Sequence, residues 1–350
     1  MALNGQFGRT LISSSLDIVT GGCGFIGSHL VDALIGAGRR VRVIDNMAVG
    51  RRENLRHLDG NPNLDVIEAD VADRARMAAA IAGAERVFHL AALADIVPSI
   101  RNPDGYFRAN VEGTYSVVQA AKAADVRRFV YVASSSCYGI PDVYPTPETA
   151  PIRPQYPYAL TKNLGEQIVL HWAQTYGFPA ISVRFFNVYG PRARTSGSYG
   201  AMFGVFLAQL LAGKPLTIVG DGTQTRDFTY VSDAVAALLT AAESDIVGDM
   251  FNVGSGATVP VNRIVRLLGA TDTLHIPKRP GEPDSTFADI AKIGRVLGWR
   301  PSVSIEEGVR RMLGNLDSWR DAPVWTPETI ADATRDWFHY LGTAPKTKAS

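Results

Sequence analysis

The sequence is poor in cysteine and has almost no net charge. Its 350 residues include only Cys23 and Cys137, and the formal net charge is +1. Two cysteines are too few for a disulfide framework and fit a reducing compartment, so we expect a cytoplasmic protein. Lys and Arg are spread along the chain without a basic patch, which disfavours nucleic acid and anionic membranes as partners. A small molecule is the expected partner.

Long apolar runs and metal-ligand patterns are also missing. No run approaches the ~20 apolar residues that span a bilayer, and residues 1–15 lack the continuous apolar core of a signal peptide. The six histidines show no HExxH or other paired-ligand spacing, so we predict no metal. With 46% hydrophobic residues, the chain can bury a sizeable core and is expected to be globular.

From Leu16 onward, short β-branched runs alternate with longer amphipathic or Ala-rich stretches. The predicted strands are 16–20, 40–45, 64–70, 86–92, 128–134 and 179–185. This alternation is typical of βαβ units in a parallel sheet. We therefore predict an α/β fold with a Rossmann-type doubly wound parallel sheet and a smaller, interleaved C-terminal substrate domain.

A glycine-rich loop, TGGCGFIG, covers residues 20–27 between the first strand and an apolar helix. Gly22, Gly24 and Gly27 satisfy the spacing of a dinucleotide-binding loop in its proper context. Small residues let the backbone approach a pyrophosphate, while the helix N-terminus offers unpaired N–H groups and a positive dipole. The expected cofactor contacts in this loop are Gly21, Gly24, Phe25, Ile26 and Gly27.

The end of the second strand carries an acidic residue, Asp45, about 20 residues beyond the loop. A carboxylate there can hold the ribose hydroxyls and repel the extra phosphate of NADP, so NAD is the favoured cofactor. Asn46 beside it is an expected cofactor contact as well. Arg51 and Arg52 follow closely enough to leave NADP open as a minor alternative.

Composition suggests where the domains divide. Gly and Pro become denser beyond Gly190, and a short strand signal appears at 215–220. We expect a tail over 1–15, an NAD-binding domain over 16–186 to which 227–254 returns, and a substrate-binding domain over 187–226 and 255–350. Near the end of the chain, Thr326-Pro327-Glu328 predicts the start of a helix.

The segment SSSCYG (134–139) is followed by YALTK (158–162), in which Tyr158 and Lys162 stand one helical turn apart. Residues at i and i+4 share a helix face, so the Lys162 ammonium can sit beside the phenol and favour its deprotonated form. A tyrosinate is a competent base for a hydroxyl group. Ser134, at the carboxyl end of its strand, can share the proton or hold a ketone oxygen. The YxxxK pattern is weak evidence for a catalytic pair by itself, and it becomes strong evidence when the same chain also carries the glycine loop.

The motifs of this chain, and their order along it, resemble those of the extended short-chain dehydrogenases/reductases, specifically the nucleotide-sugar epimerase/dehydratase family. The similarity extends from Leu16 to Leu313. The matching motifs are TGGCGFIG, DNMAVGRREN, EAD, HLAA, NVEGT, SSSCYG, YALTK, RFFNVYGPR, GDGTQTRDF, and KRPGE with a downstream AD. The resemblance implies an NAD-dependent enzyme that acts on a nucleotide sugar.

The resemblance also implies roles for residues outside the two main motifs. The implied cofactor contacts are Asp70 and Val71 at the adenine, Leu90, Ala91 and Ala92 along the cofactor, Asn110 at the active-site end, Phe186 near the nicotinamide, and Tyr158 and Lys162 themselves. The implied substrate contacts are Ser134, Asn187 at a phosphate or sugar oxygen, Arg226 and Arg279 at the diphosphate, and Glu282 at the nucleotide ribose. Arginine suits bidentate phosphate binding; for Glu282 a salt bridge is the alternative.

The residues after Ser134 bear on the reaction. Family dehydratases carry an Asp-Glu pair there and decarboxylases generally keep a Glu, whereas this chain has Ser135 and Ser136. Epimerisation at C4 of a UDP-hexose fits better, with Ser134, Ser135, Tyr158 and Lys162 as the catalytic set. Tyr158 would take the C4 hydroxyl proton, and hydride would pass to NAD and return to the other face of a 4-keto sugar.

One position addresses the choice of sugar. Ser135 and the sequence AALADIVPS resemble the 4-epimerases that handle N-acetylated UDP-hexoses, in which the residue seven beyond the KRPGE arginine gates the 2-substituent. That residue is Thr286 here. A side chain this small would leave room for an N-acetyl group, so both UDP-glucose/galactose and the UDP-N-acetylhexosamines are candidate substrates.

Other readings stay open on the sequence. They are epimerisation at another carbon or of a GDP-, CDP- or dTDP-sugar, a 4-ketoreductase or dehydratase activity, and a catalytically silent NAD-binding scaffold. The joint presence of Ser134, Tyr158 and Lys162 argues against the scaffold. Family members commonly dimerise through two helices per subunit, here those near 105–123 and 158–176, so a homodimer is expected.

Overall fold

The computed structural model describes residues 15–193 and 202–342, in which strands and helices alternate. The strands are β1 (Leu16–Thr20), β2 (Arg40–Asp45), β3 (Leu64–Glu68), β4 (Ala84–His89), β5 (Arg128–Ser134), β6 (Ala180–Phe185), β7 (Asn187–Tyr189), β8 (Leu216–Val219), β9 (Thr225–Arg226), β10 (Phe228–Tyr230), β11 (Met250–Val253), β12 (Val259–Pro260) and β13 (Thr273–Ile276). The helices are α1 (Phe25–Gly36), α2 (Arg74–Ile81), α3 (Ile96–Arg101), α4 (Pro103–Phe107), α5 (Gly113–Ala123), α6 (Pro157–Tyr176), α7 (Met202–Leu211), α8 (Val231–Glu243), α9 (Val261–Leu267), α10 (Ala291–Val296), α11 (Ile305–Leu313), α12 (Pro327–Ala333) and α13 (Arg335–Gly342). Short 3-10 helices cover Arg52–Leu58, Ser135–Tyr138 and Leu316–Trp319, and a π-helix covers Arg108–Glu112.

Seven strands of the described chain form the central sheet. Their order is β11-β6-β5-β4-β1-β2-β3, and every pairing is parallel. The chain reverses its direction of travel across the sheet between β1 and β4, where such folds open a crevice at the carboxyl ends of the strands. The predicted doubly wound α/β fold is confirmed. β3 and β4 end two and three residues earlier than predicted, because the chain there leaves the sheet to line a cavity.

Apolar helices cover both faces of the sheet. Successive residues of β1 point to opposite faces, so Val19 packs in one buried cluster and Ile18 in the other. The first cluster includes Leu30 of α1 and Leu238 of α8, and the second includes Val117 of α5 and Val169 of α6. Burial on both faces explains why the strand sequences are nearly continuous apolar runs.

Asp17 is a charged residue inside β1, where an apolar residue is expected. Its carboxylate is fully buried and accepts hydrogen bonds from Arg39 and Arg86 at 2.6–2.8 Å. Each guanidinium donates twice, so the buried charge is compensated rather than left unpaired. Asp17 is in β1, Arg39 directly precedes β2 and Arg86 is in β4. The contacts therefore connect these three strands at the end of the sheet opposite their carboxyl ends.

A second, smaller group of strands follows β6. β7 pairs with β10, β8 with β13 and β9 with β12, and Phe206 of α7, Ile264 of α9 and Met312 of α11 belong to its buried cluster. Between these pairs the chain returns to the central sheet, where α8 packs against α1 and β11 forms an edge beside β6. The two groups of strands therefore interleave along the sequence.

The last part of the described chain begins α12 where the sequence predicts it. The Thr326 hydroxyl accepts from the Thr329 N–H, and the Thr326 N–H donates to the Thr329 hydroxyl, which caps the helix reciprocally. The expected tail over 1–15 lies outside the described residues except for Ser15. No helix within 15–193 and 202–342 combines the length and apolarity needed to cross a membrane.

Candidate active site

A cavity of about 710 Å³ lies along the carboxyl ends of the central strands, facing the smaller group of strands. Its volume is within the range of ligand-binding pockets. The structure brings together in its wall most of the residues that the sequence singles out. They are Gly21, Gly24, Phe25, Ile26, Gly27, Asp45, Asn46, Asp70, Val71, Leu90, Ala91, Ala92, Ser134, Ser135, Tyr158, Phe186, Asn187, Arg226, Arg279, Glu282 and Thr286. Lys162 and Asn110 lie behind the wall and are almost fully buried.

The glycine loop makes backbone contacts too close for larger residues. A Cβ atom on Gly27 would lie 2.2 Å from the Gly21 oxygen, and Gly21 itself has a φ of +71° and backs directly onto Ala91. Gly24 precedes α1 without a side-chain cap, and no acidic residue occupies the first turn. The first N–H groups and the positive end of the helix dipole therefore meet the cavity, as anion binding at a helix start requires.

Asp45 is held in place by the backbone around it. Its carboxylate accepts from the N–H groups of Cys23 at 3.0 Å and Met47 at 2.9 Å. Burial raises the pKa of Asp45, and these two hydrogen bonds act in the opposite direction. A fixed carboxylate at the end of β2 suits the ribose hydroxyls of a dinucleotide, so the loop and Asp45 together fit NAD.

The expected adenine contacts are also in position. Asp70 lines the cavity beside Val71, and its carboxylate accepts from the Ala72 N–H at 2.9 Å and from Arg108 at 3.1 Å. Beyond the end of β4, the Ala91 N–H donates to the Thr20 hydroxyl of β1 at 3.2 Å. These contacts fix both chain segments in the cavity wall, and contact of Asp70 and Val71 with an adenine stays a prediction.

Three hydroxyl groups meet at the end of β5. The Ser136 hydroxyl donates to the Ser134 oxygen at 2.9 Å, and both serines line the cavity beside Tyr158. Burial raises the pKa of Tyr158, and the nearby Ser134 and Ser136 hydroxyls act in the opposite direction. Tyr158 lies between the rings of Tyr156, which is stacked, and Tyr106, which is edge-on. A protonated phenol in this setting needs a nearby positive charge to become a base.

Lys162 is the cation nearest in sequence to Tyr158 on α6. Its ammonium donates to the Val132 carbonyl at 2.6 Å and lies 4.5 Å from the centre of the Tyr131 ring. Burial lowers the pKa of Lys162 to about 7, and Glu166, one turn further along, acts in the opposite direction. The effect of this ammonium on the phenol stays a prediction.

A chain of hydrogen bonds connects the floor of the cofactor site to the π-helix. The Thr114 hydroxyl donates to the Asn110 carbonyl at 2.6 Å, so it must accept from the Nε2–H of His89 at 3.0 Å. His89 Nδ1 then carries the lone pair and accepts from the Thr20 hydroxyl at 2.7 Å. Burial, aided by the nearby Lys162 ammonium, lowers the pKa of His89 to about 3. The sequence indicates only that this histidine is not part of a metal-ligand pattern.

Asn110 continues this chain towards α6. Its side chain accepts from the Leu93 N–H at 2.8 Å and donates to the Thr161 hydroxyl at 3.0 Å, and Thr161 donates to the Tyr158 carbonyl. Gly165 allows α6 to lie this close to the π-helix, because a Cβ atom at Gly165 would be only 3.0 Å from the backbone oxygen of Asn110. Asn110 therefore supports the catalytic helix through its contacts rather than by lining the cavity.

The expected diphosphate contacts form a cluster on the opposite wall. Arg226 of β9 donates to Glu282 at 2.8 Å, and Arg279 lies 3.7 Å from the other oxygen of the same carboxylate. Arg226 and Arg279 are only 12% and 13% exposed. The structure thus shows the salt bridge that was the alternative for Glu282, and a contact of Glu282 with a ribose stays a prediction.

Thr286 and Asn187 contact one another in the same wall. The Thr286 hydroxyl donates to the Asn187 side-chain oxygen at 2.7 Å and accepts from the Asp227 N–H at 3.1 Å. Asn187 begins β7, directly after Phe186, and so joins the sheet to the smaller group of strands. The two residues predicted from separate motifs form one hydrogen-bonded unit.

Some residues of the wall were not predicted from the sequence. Ser136, Tyr156 and Trp337 line the cavity. Ser136 lies within the SSSCYG segment and Tyr156 precedes the YALTK segment, so their motifs could have indicated them. Trp337 of α13 comes from beyond the resemblance, and no sequence signal places it near Tyr156.

The two cysteines and the metal expectation can be considered together. Burial raises the pKa of both Cys23 and Cys137 to about 12, which disfavours a reactive thiolate at either position. Among the His, Cys, Asp and Glu side chains of 15–193 and 202–342, no three are grouped as metal ligands. The prediction of no metal rests on the sequence.

Comparison with known proteins gives the same assignment as the motifs. The model of the NAD dependent epimerase/dehydratase family matches residues 18–254. A UDP-glucose 4-epimerase of Mycolicibacterium smegmatis is 36% identical over 302 residues, which cover 84% of this chain and 96% of that protein. UDP-glucuronic acid decarboxylase 1 of Arabidopsis thaliana is 35% identical over 308 residues, which cover 85% of this chain and 69% of that protein.

Solved structures are similar over the same extent. The crystal structure of a UDP-glucose 4-epimerase from Thermotoga maritima with UDP-glucose has a TM-score of 0.81 and 33% sequence identity. The match covers 87% of this chain and 99% of that chain. The likeness therefore includes both the central sheet and the smaller group of strands.

Proposed function

Because the chain belongs to the NAD dependent epimerase/dehydratase family, we propose that it interconverts the C4 epimers of a UDP-hexose with NAD as its cofactor. The similar UDP-glucose 4-epimerases from two organisms support this activity. Identity alone does not choose it, since the decarboxylase is almost as similar as the first epimerase. The choice depends on the residues beside Tyr158.

The observation that carries the proposal is the group of hydroxyls at the end of β5. Ser135 and Ser136 occupy the positions where the dehydratases and decarboxylases of the family carry acidic residues. The Ser136 hydroxyl donates to Ser134 at 2.9 Å, and both serines lie with Tyr158 in the wall of the cavity, where they act to lower the pKa of the phenol. A set of hydroxyl groups can hold and move the proton of a sugar hydroxyl, which is the proton chemistry that redox-neutral epimerisation requires.

Each residue then has a defined task. Tyr158 removes the proton from the sugar C4 hydroxyl, and Ser134 holds the resulting ketone oxygen. The positive charge of Lys162 favours the deprotonated phenol. NAD, held by the glycine loop and Asp45, supplies hydride acceptance and return at C4. The proton returns from Tyr158 when the epimer forms, so a cycle consumes no cofactor.

On the substrate side, Arg226 and Arg279 neutralise the diphosphate. Thr286 limits the space at the sugar 2-substituent, and its hydroxyl is held in place by a hydrogen bond to the Asn187 side chain. A threonine at this place leaves room for an N-acetyl group. We therefore extend the proposed substrates to UDP-N-acetylglucosamine besides UDP-glucose.

We also propose a cytoplasmic homodimer. The two cysteines are free, as in a reducing compartment. On α6, Leu160 and Tyr176 are 46% and 55% exposed, and Tyr115 of α5 packs edge-on against Trp172 of α6. Exposed apolar groups on α6, together with the aromatic contact that joins α6 to α5, suit pairing of two copies through these helices. Light scattering at twice the 37.7 kDa chain mass would support the dimer, and a monomer mass would contradict it.

The activity is tested without added cofactor. Purified protein is incubated separately with UDP-glucose and UDP-N-acetylglucosamine, and the C4 epimers are followed by proton NMR. We expect a galacto isomer from both, without net formation of NADH, because the hydride returns to the same sugar. Tyr158→Phe should lower kcat by about 10²–10⁴-fold, since it removes the base, whereas Tyr156→Phe keeps the stacked ring and should retain activity.

The possible contrary results are separable. Turnover of UDP-glucose without any turnover of UDP-N-acetylglucosamine would contradict the role of Thr286. Bulk consumption of NADH or NADPH would indicate a ketoreductase. Inactivity with both sugars after NAD is supplied would overturn the proposed substrates in favour of another nucleotide sugar, another carbon or a scaffold.

A further inference from the structure

The C-terminal segment of the chain lies against the cavity. After α11 the chain continues through the 3-10 helix Leu316–Trp319 to α12 and α13. α13 places Trp337 in the cavity wall with 4% of its surface exposed. A residue 24 positions beyond the end of the family resemblance at Leu313 therefore borders the proposed substrate site.

On one side, Trp337 contacts the loop of the diphosphate cluster. Its indole N–H donates to the Pro280 carbonyl at 2.7 Å, and the Arg279 guanidinium carbon lies 5.3 Å from the centre of its ring. That separation is within the range of a cation–π interaction. Arg279 is thus held between the Trp337 ring and the carboxylate of Glu282.

On the other side, the segment contacts elements near Tyr158. Arg101 of α3 forms a salt bridge with Asp336 and donates to the Ala333 carbonyl at 3.4 Å. The Trp337 ring lies 6.4 Å from that of Tyr156, which is stacked on Tyr158. Residues 333–337 therefore connect α3, on the cofactor side, to the Arg279 loop, on the substrate side.

Similar proteins lack a counterpart for part of this chain. The two epimerase relatives are matched over 96% and 99% of their own lengths but over only 84% and 87% of this chain. The remainder is about the size of residues 1–15 and 314–350 together, the two stretches outside the motif resemblance. The segment that carries Trp337 lies in the second of these two stretches.

We propose that α13 contributes to the wall of the nucleotide-sugar site through Trp337, which positions Arg279 for the substrate diphosphate. The inference rests on the proposed function for the identity of the ligand. A guanidinium already held by an aromatic face loses less freedom when it binds a phosphate, so its position is preorganised. Trp337 is a positioning residue, and it acts on binding of the nucleotide rather than on proton transfer.

The test measures binding of UDP by calorimetry and the KM and kcat of the nucleotide sugar. Trp337→Ala should weaken UDP binding and raise KM about tenfold, the scale of a lost cation–π contact and indole hydrogen bond. We expect kcat and the NAD content to stay within about twofold of the wild type, since nothing in the Tyr158 group is removed. Trp337→Phe keeps an aromatic face and should recover about half of the lost binding free energy.

Tyr340→Ala is the matched control, because Tyr340 lies on the same helix and is 59% exposed. It should leave UDP binding and KM unchanged. Should Trp337→Ala fail to fold, Asp336→Asn removes the salt bridge that helps hold the segment to Arg101 without altering the wall, and we expect about a threefold weaker UDP affinity. A melting temperature for each variant separates loss of folding from loss of binding.

The outcomes distinguish this inference from the proposed function. Unchanged UDP binding in Trp337→Ala overturns the inference, as does a fall in kcat and NAD content at unchanged KM. A wild type that binds UDP through Trp337 but epimerises neither sugar supports the inference and removes the proposed activity. A wild type that binds no UDP overturns the inference too.

Discussion

The two walls of the cavity are built in different ways. The cofactor wall uses backbone groups from short stretches: the Gly21–Gly27 loop packs on itself, and Asp45 is fixed by two main-chain N–H groups. The substrate wall uses side chains from distant segments that contact one another, as Arg226 and Glu282 do across 56 positions. Backbone recognition demands particular small residues at fixed spacing. Side-chain recognition needs only that suitable groups meet in space.

The largest effect is expected on the cofactor wall, from Gly27→Ala. The new Cβ would lie 2.2 Å from the Gly21 oxygen and 2.9 Å from its carbonyl carbon, and neither backbone atom can move without opening the loop. Overpacking typically costs about 1–3 kcal/mol and occasionally more, and a backbone contact this short lies at the upper end, so NAD affinity should fall by more than about 150-fold. The NAD content of the purified protein and its activity with added NAD measure the loss.

Gly36→Ala at the end of the same helix is the control. A Cβ atom there meets no other atom within 4 Å. Alanine is also the better helix former, so stability should be equal or higher by up to ~1 kcal/mol and NAD content unchanged. Equal NAD content in the two variants would show that the close contact at Gly27 does not govern cofactor binding.

A smaller effect is expected on the substrate wall, from Arg226→Ala. A hydrogen bond to a charged group contributes about 1.5–3 kcal/mol, so KM for the nucleotide sugar should rise about 10- to 150-fold. The NAD content should not change, because the hydrogen-bond partners of Arg226 are Thr225, Glu282 and Asp284, which all lie on the substrate side of the cavity. Arg310→Ala is the matched control, since Arg310 pairs with Glu307 on the exposed surface of α11. A parallel fall in NAD content would contradict the separation of the two walls.

This difference between the walls explains what could be predicted from the sequence. The strand alternation predicts the sheet, and the glycine spacing and Asp45 predict the cofactor site, because both depend on local patterns. YxxxK predicts that Tyr158 and Lys162 share a helix. All of these residues are found in or directly behind the cavity wall.

Contacts between distant side chains could not be predicted in this way. No local pattern pairs Asp17 with Arg39 and Arg86, and an aspartate inside β1 is unexpected until both guanidinium groups are seen beside it. The same holds for Trp337, because its place in the wall depends on the path of the whole C-terminal segment. The sequence likewise gives no sign that Lys162 donates to the Val132 carbonyl.

The most gradual effect is the change of stability with pH at His89. This residue lies behind the cofactor wall and is held there by two side chains, Thr20 and Thr114. The folded protein holds His89 neutral between Thr20 and Thr114, with a pKa of about 3 against an ordinary value of 6.5. Between those values the unfolded chain binds more protons, so the free energy of unfolding rises with pH through this window. The contribution is complete above pH 6.5 and is lost as the pH falls towards 3.

His89→Gln provides the comparison, because glutamine can accept and donate hydrogen bonds but does not titrate. Urea unfolding is measured at several pH values from 7.5 to 4.5, and other ionisable groups that face His89, chiefly Lys162, are common to both proteins. Below pH 6.5 the wild type should lose stability more steeply than the variant, by at most about 1.4 kcal/mol per pH unit. Above pH 7 the difference between them should be constant. A constant difference down to pH 4.5 would mean that His89 accepts a proton as readily in the folded protein as in the unfolded chain, and that the Thr20 and Thr114 contacts do not hold it neutral.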